Sequence, residues 1–398
     1  MPETFSPSNP QEIGALLADR AASGTPLKIR AGGSKSALGH AVAADDTLDL
    51  SALNQVHFYE PEELVLSAAA ATPLRVVEDL LAQHHQRLAF EPPDLGPLLG
   101  AAAGAGTFGG IFACALSGPR RFAAGAARDH VMGVEIVNGA GDIIKSGGRV
   151  MKNVTGFDLC KLMTGAQGTL GVLTTLIVKT LPVPEDTRTL FFPAADCAQA
   201  VAAMAKALAT PTEISGAVYL PDDLSPIGTA CIALRLEGTA ASVAYRADKL
   251  EALRGTAADA TVWERADSLV FWQSIRDISA LVTPAEAPLW RLHVAPMAAP
   301  TVIEELAQIP DARWFLDWAG GLIWLSLPPS EDAHAPHVRG AVGRVGGRAV
   351  LFRAPAEIRS TVPLNGPADP VSAALITRLR HAFDPQGILN PGRLGSLA

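Results

Sequence analysis

Several residues of this 398-residue chain have the types and spacing needed to hold a phosphate-bearing cofactor. After a short apolar strand comes the run 30–34 (RAGGS), which is followed by Lys35. Glycine accepts positive φ and lets the backbone approach a ligand closely, and successive backbone N–H groups in such a turn form an anion-binding nest. A plain surface turn could have the same composition, so this run alone gives only a candidate phosphate site.

A second glycine-rich stretch, residues 104–182, interleaves glycine with apolar residues and indicates backbone packed closely around a flat, buried group. It contains G-x-G-x-x-G at Gly104, Gly106 and Gly109, so a nicotinamide-dinucleotide fingerprint is an alternative interpretation. That fingerprint requires a strand directly before its first glycine, whereas residues 92–103 are rich in proline, glycine and alanine. Nicotinamide binding is therefore the weaker alternative.

Two groups of cationic side chains could hold a carboxylate. Arg291 and His293 alternate along a predicted strand and would share one face of it. Arg120 and Arg121 follow a Gly-Pro turn, and paired guanidinium groups bind carboxylates through two hydrogen bonds. The alternatives are an ordinary strand pair at a domain rim and an exposed pair on a loop, and the sequence identifies no catalytic base.

Hydrophobic periodicity and capping residues predict the elements that must position these groups. Helices are predicted at about 10–22, 74–81, 159–164, 197–208, 241–253, 268–278 and 370–383, with one more within 331–345. Strands are predicted at 26–30, 48–53, 64–70, 131–137, 143–145, 172–181, 214–220, 230–237, 289–294, 314–318, 322–327 and 348–353. The prolines at 182 and 184 close a first domain, because proline cannot continue a central strand.

The composition is typical of a compact globular protein, with 48% hydrophobic and 18% charged residues. A formal net charge of −8 argues against a nucleic-acid partner or an anionic membrane surface. The first ten residues have no basic or apolar leader, and the most apolar window, 101–118, is too short to span a bilayer. We expect a cytoplasmic protein with no direct membrane span, in which any membrane association is made through partners.

The four cysteines, Cys114, Cys160, Cys197 and Cys231, form no C-x-x-C pair. This spacing argues against a cysteine-ligated iron–sulfur cluster on this chain and against a disulfide framework. We expect no metal site.

Four signatures in order resemble one family, the vanillyl-alcohol-oxidase-type flavoproteins with a PCMH-type FAD-binding domain. They are the RAGGSK run at 30–35, TFGGI at 107–111, GAQGTLGVL at 165–173 and FDPQGILNPGR at 383–393. The resemblance covers residues 10–182 and the tail, and it is weak in the middle third. The runs 148–159 and 347–354 point, within this family, to the FAD-binding subunits of bacterial glycolate oxidase.

The resemblance implies an α+β fold in three parts. Residues 1–184 would form a two-subdomain PCMH-type FAD-binding domain, 185–355 a smaller ferredoxin-like α+β cap domain, and 356–398 a segment returning to the FAD domain. It also implies the residues that bind FAD: Arg30, Ala31, Gly32, Gly33, Ser34, Thr107, Phe108, Gly109, Gly110, Ala113, Ser117, Gly118, Gly165, Gly171, Val172 and Asn390. Neither His40 nor His130 lies in the covalent linking motif of the family, so we expect non-covalent FAD.

The activity implied is flavin-dependent oxidation of a small 2-hydroxy acid, glycolate to glyoxylate, within a complex that contains a sister FAD subunit and an iron–sulfur subunit. The histidine-rich H-x-G-D-G-N-x-H stretch of catalytic relatives is missing here, and Arg121, Arg291 and His293 are only weak candidates for catalysis. The alternative is therefore an electron-relay or structural subunit that holds FAD while its sister flavoprotein oxidises the substrate.

Overall fold

The computed structural model divides the chain into two compact units, which we call the first and second units. It describes residues 1–149, 157–252, 260–366 and 369–395. The first unit comprises Met1–Ser117, Gly125–Pro182 and Pro367–Ala398, and the second comprises Gly118–Ala124 and Val183–Gly366.

The first unit contains six helices and ten strands among the described residues. The helices are α1 (Pro10–Ser23), α2 (Leu74–Ala82), α3 (Phe108–Ala113), α5 (Ala127–His130), α6 (Leu159–Met163) and α13 (Pro370–Phe383). The strands are β1 (Thr4–Phe5), β2 (Leu27–Arg30), β3 (Asp46–Asp49), β4 (Val56–Glu60), β5 (Val65–Ala69), β6 (Gln86–Arg87), β7 (Val131–Val137), β8 (Ile143–Gly147), β9 (Val172–Lys179) and β10 (Leu181–Pro182).

A small parallel sheet, in the order β1-β3-β2, forms the first subdomain with helix α1. Ile13 and Leu17 of α1 are fully buried with Leu27 and Leu48 of the sheet. The tail pairs with the sheet edge, since the Leu27 N–H donates to the Ile388 carbonyl at 2.8 Å and the Leu27 carbonyl accepts from the Asn390 N–H at 3.1 Å. The tail is thus part of this subdomain.

The second subdomain is a five-stranded antiparallel sheet in the order β4-β5-β9-β7-β8. Strand β9 alternates buried and half-buried residues, with Val172, Thr174, Leu176 and Val178 on the buried face. This alternation is the period of a sheet with one face against a core. The two subdomains and the mixture of helix and sheet confirm the predicted architecture of this part of the chain.

The second unit contains the remaining elements. The helices are α4 (Arg121–Ala124), α7 (Cys197–Leu208), α8 (Ala240–Ala252), α9 (Arg265–Arg276), α10 (Ala299–Leu306), α11 (Ala335–Arg344) and α12 (Ala356–Thr361). The strands are β11 (Asp186–Pro193), β12 (Gly216–Leu220), β13 (Cys231–Gly238), β14 (Thr261–Trp263), β15 (Leu289–His293), β16 (Arg313–Asp317), β17 (Leu322–Ser326) and β18 (Arg348–Arg353).

These strands form one antiparallel sheet in the order β14-β11-β13-β12-β16-β17-β15-β18. Its halves share the chain order strand, helix, strand, strand, helix, strand, which is the ferredoxin-like motif. In each half the strands stand in the spatial order 4-1-3-2, and the halves meet where Tyr219 of β12 pairs with Leu316 of β16. The predicted ferredoxin-like motif is therefore present twice in the second unit. Because it contains both copies, the second unit has nearly as many residues as the first.

Three of the predicted boundaries differ from those in the structure. The predicted strand at 48–53 is β3, Asp46–Asp49, because the Leu53 N–H donates to the Leu50 carbonyl at 2.8 Å and closes a turn there. Residues 356–366 belong to the second unit, because Val362 and Leu364 are buried in its core and the Leu351 N–H donates to the Leu364 carbonyl. Residues 118–124, predicted within the first domain, also belong to the second unit.

In the run 148–159 that the sequence singled out, residues 150–156 lie outside the described part of the chain. No helix in the described part combines the length and apolar character that crossing a bilayer requires.

Candidate cofactor site and cationic cluster

The predicted phosphate loop packs directly on the second glycine-rich stretch. A Cβ added to Gly32 would lie 2.3 Å from the Ala105 carbonyl oxygen and 2.9 Å from the Thr107 Cγ2. Real Cβ atoms do not approach that closely, so glycine at 32 is what allows the two loops to touch. Gly33 has a φ of +73°, which also favours glycine.

The backbone of this loop contains N–H groups that have no hydrogen-bond acceptor among the described residues. No N–H group of Gly32, Gly33, Ser34 or Lys35 donates to another described residue, although Ser34 and Lys35 are buried. Buried backbone donors are nearly always paired in folded proteins. Four successive donors in a loop beside a cation are the chemistry that a diphosphate needs.

Lys35 is the cation, and the sequence prediction of site residues omitted it. Its side chain is only 8% exposed, and its Nζ donates to the Ser34 Oγ at 3.1 Å. A Cβ on Gly106 or Gly110 would lie 3.7 or 3.6 Å from this Nζ, which therefore sits against both glycines. Burial lowers the pKa of Lys35, while the charges of Cys114 and Asp94 oppose that effect.

The run 165–171 docks on the end of α3. The Gly165 N–H donates to the Phe112 carbonyl at 3.0 Å, and the Gln167 N–H donates to the Ala113 carbonyl at 2.9 Å. At the other end of α3 the Thr107 Oγ1 caps the helix by accepting from the Gly110 N–H at 3.3 Å. The runs 107–110 and 165–171 are thus joined through one short helix.

Asn390 links three parts of the first unit. Its Oδ1 accepts from the Ile29 N–H at 2.8 Å, and its Nδ2 donates to the Gln167 carbonyl at 2.8 Å. The residue is 5% exposed. The resemblance implies that Asn390 binds FAD. In the structure both ends of its carboxamide bond backbone groups, so Asn390 positions β2 and the run 165–171.

Arg393 of the tail fixes the outer part of the phosphate loop. Its guanidinium donates to the carbonyls of Lys35 at 2.6 Å, Ser36 at 3.0 Å and His40 at 3.3 Å. The tail therefore supports the loop from outside while Lys35 lies within it.

The phosphate loop, α3 and the run 165–172 form a site that we call the cradle. Not every predicted cofactor residue belongs to it. Arg30 is half-exposed and pairs with Asp49 at 3.1 Å, and the Ser117 Oγ accepts from the Ala127 N–H at 2.9 Å. Gly118 belongs to the second unit. The remaining predicted residues lie in the phosphate loop, at α3 or in the run 165–172: Ala31, Gly32, Gly33, Ser34, Thr107, Phe108, Gly109, Gly110, Ala113, Gly165, Gly171 and Val172.

In the second unit, the neighbouring arginines 120 and 121 have different surroundings. Arg120 is buried and forms a two-pronged ion pair with Glu237, at 2.6 Å and 2.7 Å. The Arg121 guanidinium instead lies over the Trp318 ring, 4.4 Å from its centroid. The expectation that the pair would grip one anion together is wrong, because Glu237 already occupies Arg120.

Trp318 is the centre of a cationic cluster. Arg291 lies 5.5 Å from the centroid of the Trp318 ring, and the His293 ring stacks on Trp318 with centroids 5.5 Å apart and planes at 29°. Arg348 of β18 pairs in register with His293 of β15. We call Arg121, Arg291, His293, Trp318 and Arg348 the Trp318 cluster.

The electrostatics of the Trp318 cluster reflect crowded positive charge. Burial lowers the pKa of Arg291 to about 10, with further lowering by Arg121 and Arg348 and an opposing effect of Asp317. Burial also lowers the pKa of His293 to about 3, and the three arginines add to this effect. His293 is therefore a neutral imidazole near pH 7, and it is a weak base, because a general base works best with a pKa near the working pH.

Sequence reasoning paired Arg291 with His293 correctly on one strand but missed Trp318 and Arg348. In the described part of the chain, no group of three or more His, Cys, Asp or Glu side chains is arranged to hold a metal ion.

Comparison with known proteins finds a family match to the part of the chain that contains the phosphate loop and α3. The family described as FAD binding domain matches residues 3–147. The chain is 33% identical over 389 residues to glycolate oxidase subunit GlcE of Escherichia coli (strain K12), covering 96% of this chain and 95% of that protein.

More distant relatives match about half of the chain. Glycolate oxidase subunit GlcD of Bacillus subtilis (strain 168) is 32% identical over 48% of this chain and 39% of its own length. A D-lactate dehydrogenase of Archaeoglobus fulgidus is 30% identical over 47% of this chain and 40% of its own length. A solved structure of alkyldihydroxyacetonephosphate synthase superposes with a TM-score of 0.67 at 15% identity, over 98% of this chain and 76% of that one, which shows a shared fold.

Proposed function

Because the chain belongs to the family of FAD-linked oxidoreductases that includes glycolate oxidase subunit GlcE, we propose that it is an FAD-binding subunit of a complex that oxidises glycolate to glyoxylate. The observation that carries the proposal is the 33% identity to GlcE over nearly the full length of both chains. Similarity of that extent covers both units, whereas GlcD and the D-lactate dehydrogenase match about half of the chain.

The residues of the cradle fit FAD. The spare N–H groups of Gly32, Gly33 and Ser34, together with the buried Lys35 ammonium, would hold the diphosphate. The α3 turn at Thr107 and the run 165–172 would line the rest of the cofactor, and Asn390 would keep β2 and that run in place. Bound FAD supplies the hydride acceptor that the oxidation of an alcohol needs.

Oxidation of a 2-hydroxy acid also needs a cation for the carboxylate and a base for the hydroxyl proton. Arg121 and Arg291 are our candidates for the cation. His293 is a poor candidate for the base, because the low pKa of its imidazole makes it a weak proton acceptor. This observation favours a second candidate function, in which the chain holds FAD and relays electrons or supports a sister flavoprotein that oxidises the substrate.

The partners proposed for either role are a sister FAD subunit and an iron–sulfur subunit. The four cysteines of this chain are widely separated in sequence, so electrons leaving the flavin would pass to clusters on another chain. Any membrane attachment of the complex would likewise be made by partners.

One pair of measurements tests the proposal. The purified full-length chain should show an oxidised-flavin absorbance spectrum and release FAD on denaturation, and the complex that contains it should oxidise glycolate. A colourless protein that takes up no FAD when offered it would overturn the proposal, as would a complex without this chain that oxidises glycolate at the normal rate.

Anaerobic addition of glycolate to the isolated chain separates the two candidate roles. Bleaching of the flavin absorbance without a partner would assign the oxidation to this chain. An unbleached flavin in the isolated chain that is reduced only when the sister subunit is added would assign the relay role.

A further inference from the structure

Arg291 of the Trp318 cluster is half-buried, and its surroundings differ from those of the buried arginines of the second unit. Each of those has acceptors built around it: Arg120 has Glu237, Arg235 has the Ser215 carbonyl at 3.0 Å, Arg246 has the Glu237 carbonyl at 2.6 Å, and Arg353 has the Ala287 and Val282 carbonyls at 3.1 Å and 2.9 Å. In the described part of the second unit, each of these four buried arginines thus has an oxygen acceptor.

Arg291 has no such provision. Within the described residues it donates no hydrogen bond and forms no ion pair, and its Nε is buried without a partner. Arg348, on the neighbouring strand, donates to a neutral amide oxygen, the Asn365 Oδ1, at 2.8 Å. A half-buried guanidinium without an acceptor among the described residues is unfavourable, so Arg291 is suited to take its acceptor from a bound ligand.

The backbone beneath the cluster is strained. Trp318, Ala319 and Gly320 are consecutive residues with φ of +52°, +55° and +98°, and a non-glycine residue in this region costs about 1–3 kcal/mol. The turn is kept by hydrogen bonds from the Trp318 N–H to the Asp317 Oδ1 at 2.6 Å and from the Trp318 Nε1 to the Gly118 carbonyl at 3.1 Å. Strain of this kind, held by surrounding bonds, concentrates at binding sites.

The charges in the cluster do not balance. Arg121, Arg291 and Arg348 come from three separate elements, and Asp317 is the carboxylate that acts on Arg291. The charges of Arg121 and Arg348 disfavour the cationic form of Arg291 and that of Asp317 favours it, so an anion bound beside Arg291 would stabilise its charge. The Trp318 ring holds the guanidinium groups of Arg121 and Arg291 beside it, and a planar guanidinium can donate two parallel hydrogen bonds to a carboxylate.

We propose that the Trp318 cluster binds the carboxylate of a small 2-hydroxy or 2-oxo acid, with Arg291 and Arg121 as the direct ligands and Arg348 completing the positive field. Neutral His293 lies two residues from Arg291 on the same face of β15. It would form a hydrogen bond with the 2-hydroxy or 2-oxo group of the acid. That the cluster binds a carboxylate rests on its own geometry, and that this carboxylate belongs to the substrate rests on the proposed function.

Titration calorimetry of the FAD-loaded full-length chain with oxalate, glycolate and inorganic phosphate tests the site. Oxalate is planar and cannot be oxidised as a hydroxy acid, so its binding is read without turnover. We expect saturable binding of oxalate and glycolate, with dissociation constants raised at least tenfold by Arg291→Met. Arg348→Gln changes a more exposed side chain and should weaken binding about threefold to tenfold. The matched control is Arg313→Met on β16, where the Arg313 side chain pairs with Asp223 at 3.6 Å, and this variant should bind as the unmodified chain does.

The outcomes separate this inference from the proposed function. No saturable binding of either acid, equal binding by Arg291→Met and the unmodified chain, or tighter binding of phosphate than of both acids would overturn the site. The tryptophan fluorescence of each variant shows whether its second unit, which contains all six tryptophans, has folded, and if Arg291→Met fails to fold, Arg348→Gln alone decides. Binding that depends on Arg291 in a complex that does not oxidise glycolate would uphold the site and overturn the function. Normal glycolate turnover with an unchanged KM in Arg291→Met would uphold the proposed function and overturn the carboxylate site.

Discussion

Arg120 donates two hydrogen bonds to the carboxylate of Glu237, and both side chains are almost completely buried, at 8% and 7% exposure. The pair joins the segment 118–124 to strand β13 of the same unit. It also explains why Arg121, the next residue, can turn to Trp318 without competing for the same carboxylate.

Replacing Arg120 by methionine should destabilise the second unit, because it leaves Glu237 buried without its principal partner. Loss of one member of a buried ion pair costs about 3–5 kcal/mol, and we expect about 3 because Arg235 lies 3.9 Å from the same carboxylate. Urea unfolding followed by tryptophan fluorescence measures the change. Arg128→Met, at an exposed arginine, should change the free energy of unfolding by less than about 0.5 kcal/mol, and equal effects of the two substitutions would refute the prediction.

Replacing Lys35 by methionine should reduce FAD retention while preserving the fold. The substitution keeps an unbranched, buried side chain but removes the charge that faces the loop, and charge-assisted contacts to phosphate are among the strongest hydrogen bonds. We expect the dissociation constant of FAD to rise at least tenfold, measured by flavin fluorescence after dialysis. The control is Lys28→Met on β2, an exposed lysine. Undiminished FAD binding in Lys35→Met would show that the buried ammonium is structural.

Replacing Asn390 by alanine should destabilise the first unit and weaken FAD binding together. The change leaves the Ile29 N–H and the Gln167 carbonyl without their partners, and each unsatisfied buried group costs about 1–3 kcal/mol. Thermal unfolding with and without added FAD measures both effects. Asn54→Ala, at an exposed asparagine, serves as the comparison, and an Asn390 variant as stable as this one would contradict the positioning role.

Acidification should unfold the protein in part through His293. The pKa of His293 is lowered to about 3 in the folded protein, against about 6.5 in an unfolded chain. Between these values the unfolded chain binds a proton that the folded protein does not, so stability is complete above about pH 6.5 and falls as the pH approaches 3. The groups that act on the ring are Arg291, Arg121 and Arg348.

His293→Gln removes the imidazole that takes up this proton on unfolding. The free energy of unfolding of the variant should therefore depend less on pH. The slope from a single proton is at most about 1.4 kcal/mol per pH unit, so between pH 7 and pH 5 the unmodified protein should lose about 1–2 kcal/mol more than the variant. Urea unfolding at both pH values gives the comparison. Parallel loss of stability in the two proteins would mean that His293 is protonated in the folded state.

Elements whose ends are set by neighbouring residues are predictable from the sequence. Helices α7 and α13 begin and end as predicted because local caps define them: the Asp196 Oδ1 accepts from the Gln199 N–H at 2.8 Å, and the Asp369 Oδ1 accepts from the Ser372 N–H at 3.0 Å. The prediction misplaces strand β3 because the limits of this strand depend on pairing with both β1 and β2, which are distant in sequence.

The same distinction holds for the sites. The glycines of the cradle are visible in the sequence because close backbone approach permits no other residue, as at Gly32. The importance of Lys35 depends on its burial, and the Trp318 cluster depends on four elements meeting, so neither can be read from local spacing. The doubling of the ferredoxin-like motif escapes prediction because its halves share topology without an evident sequence repeat.

The chain passes from one unit to the other at residues 117–118, 124–125, 182–183 and 366–367. Neither unit therefore corresponds to a single contiguous gene segment. A shortened chain that stopped after residue 182 would lack the tail residues that pair with Leu27 and hold Ile29, and it would carry residues 118–124 without the core that they join. Separate production of the two halves would need a circular permutation or a redesigned connection, and any recombination that exchanged one unit between relatives would have to carry all of its pieces at once.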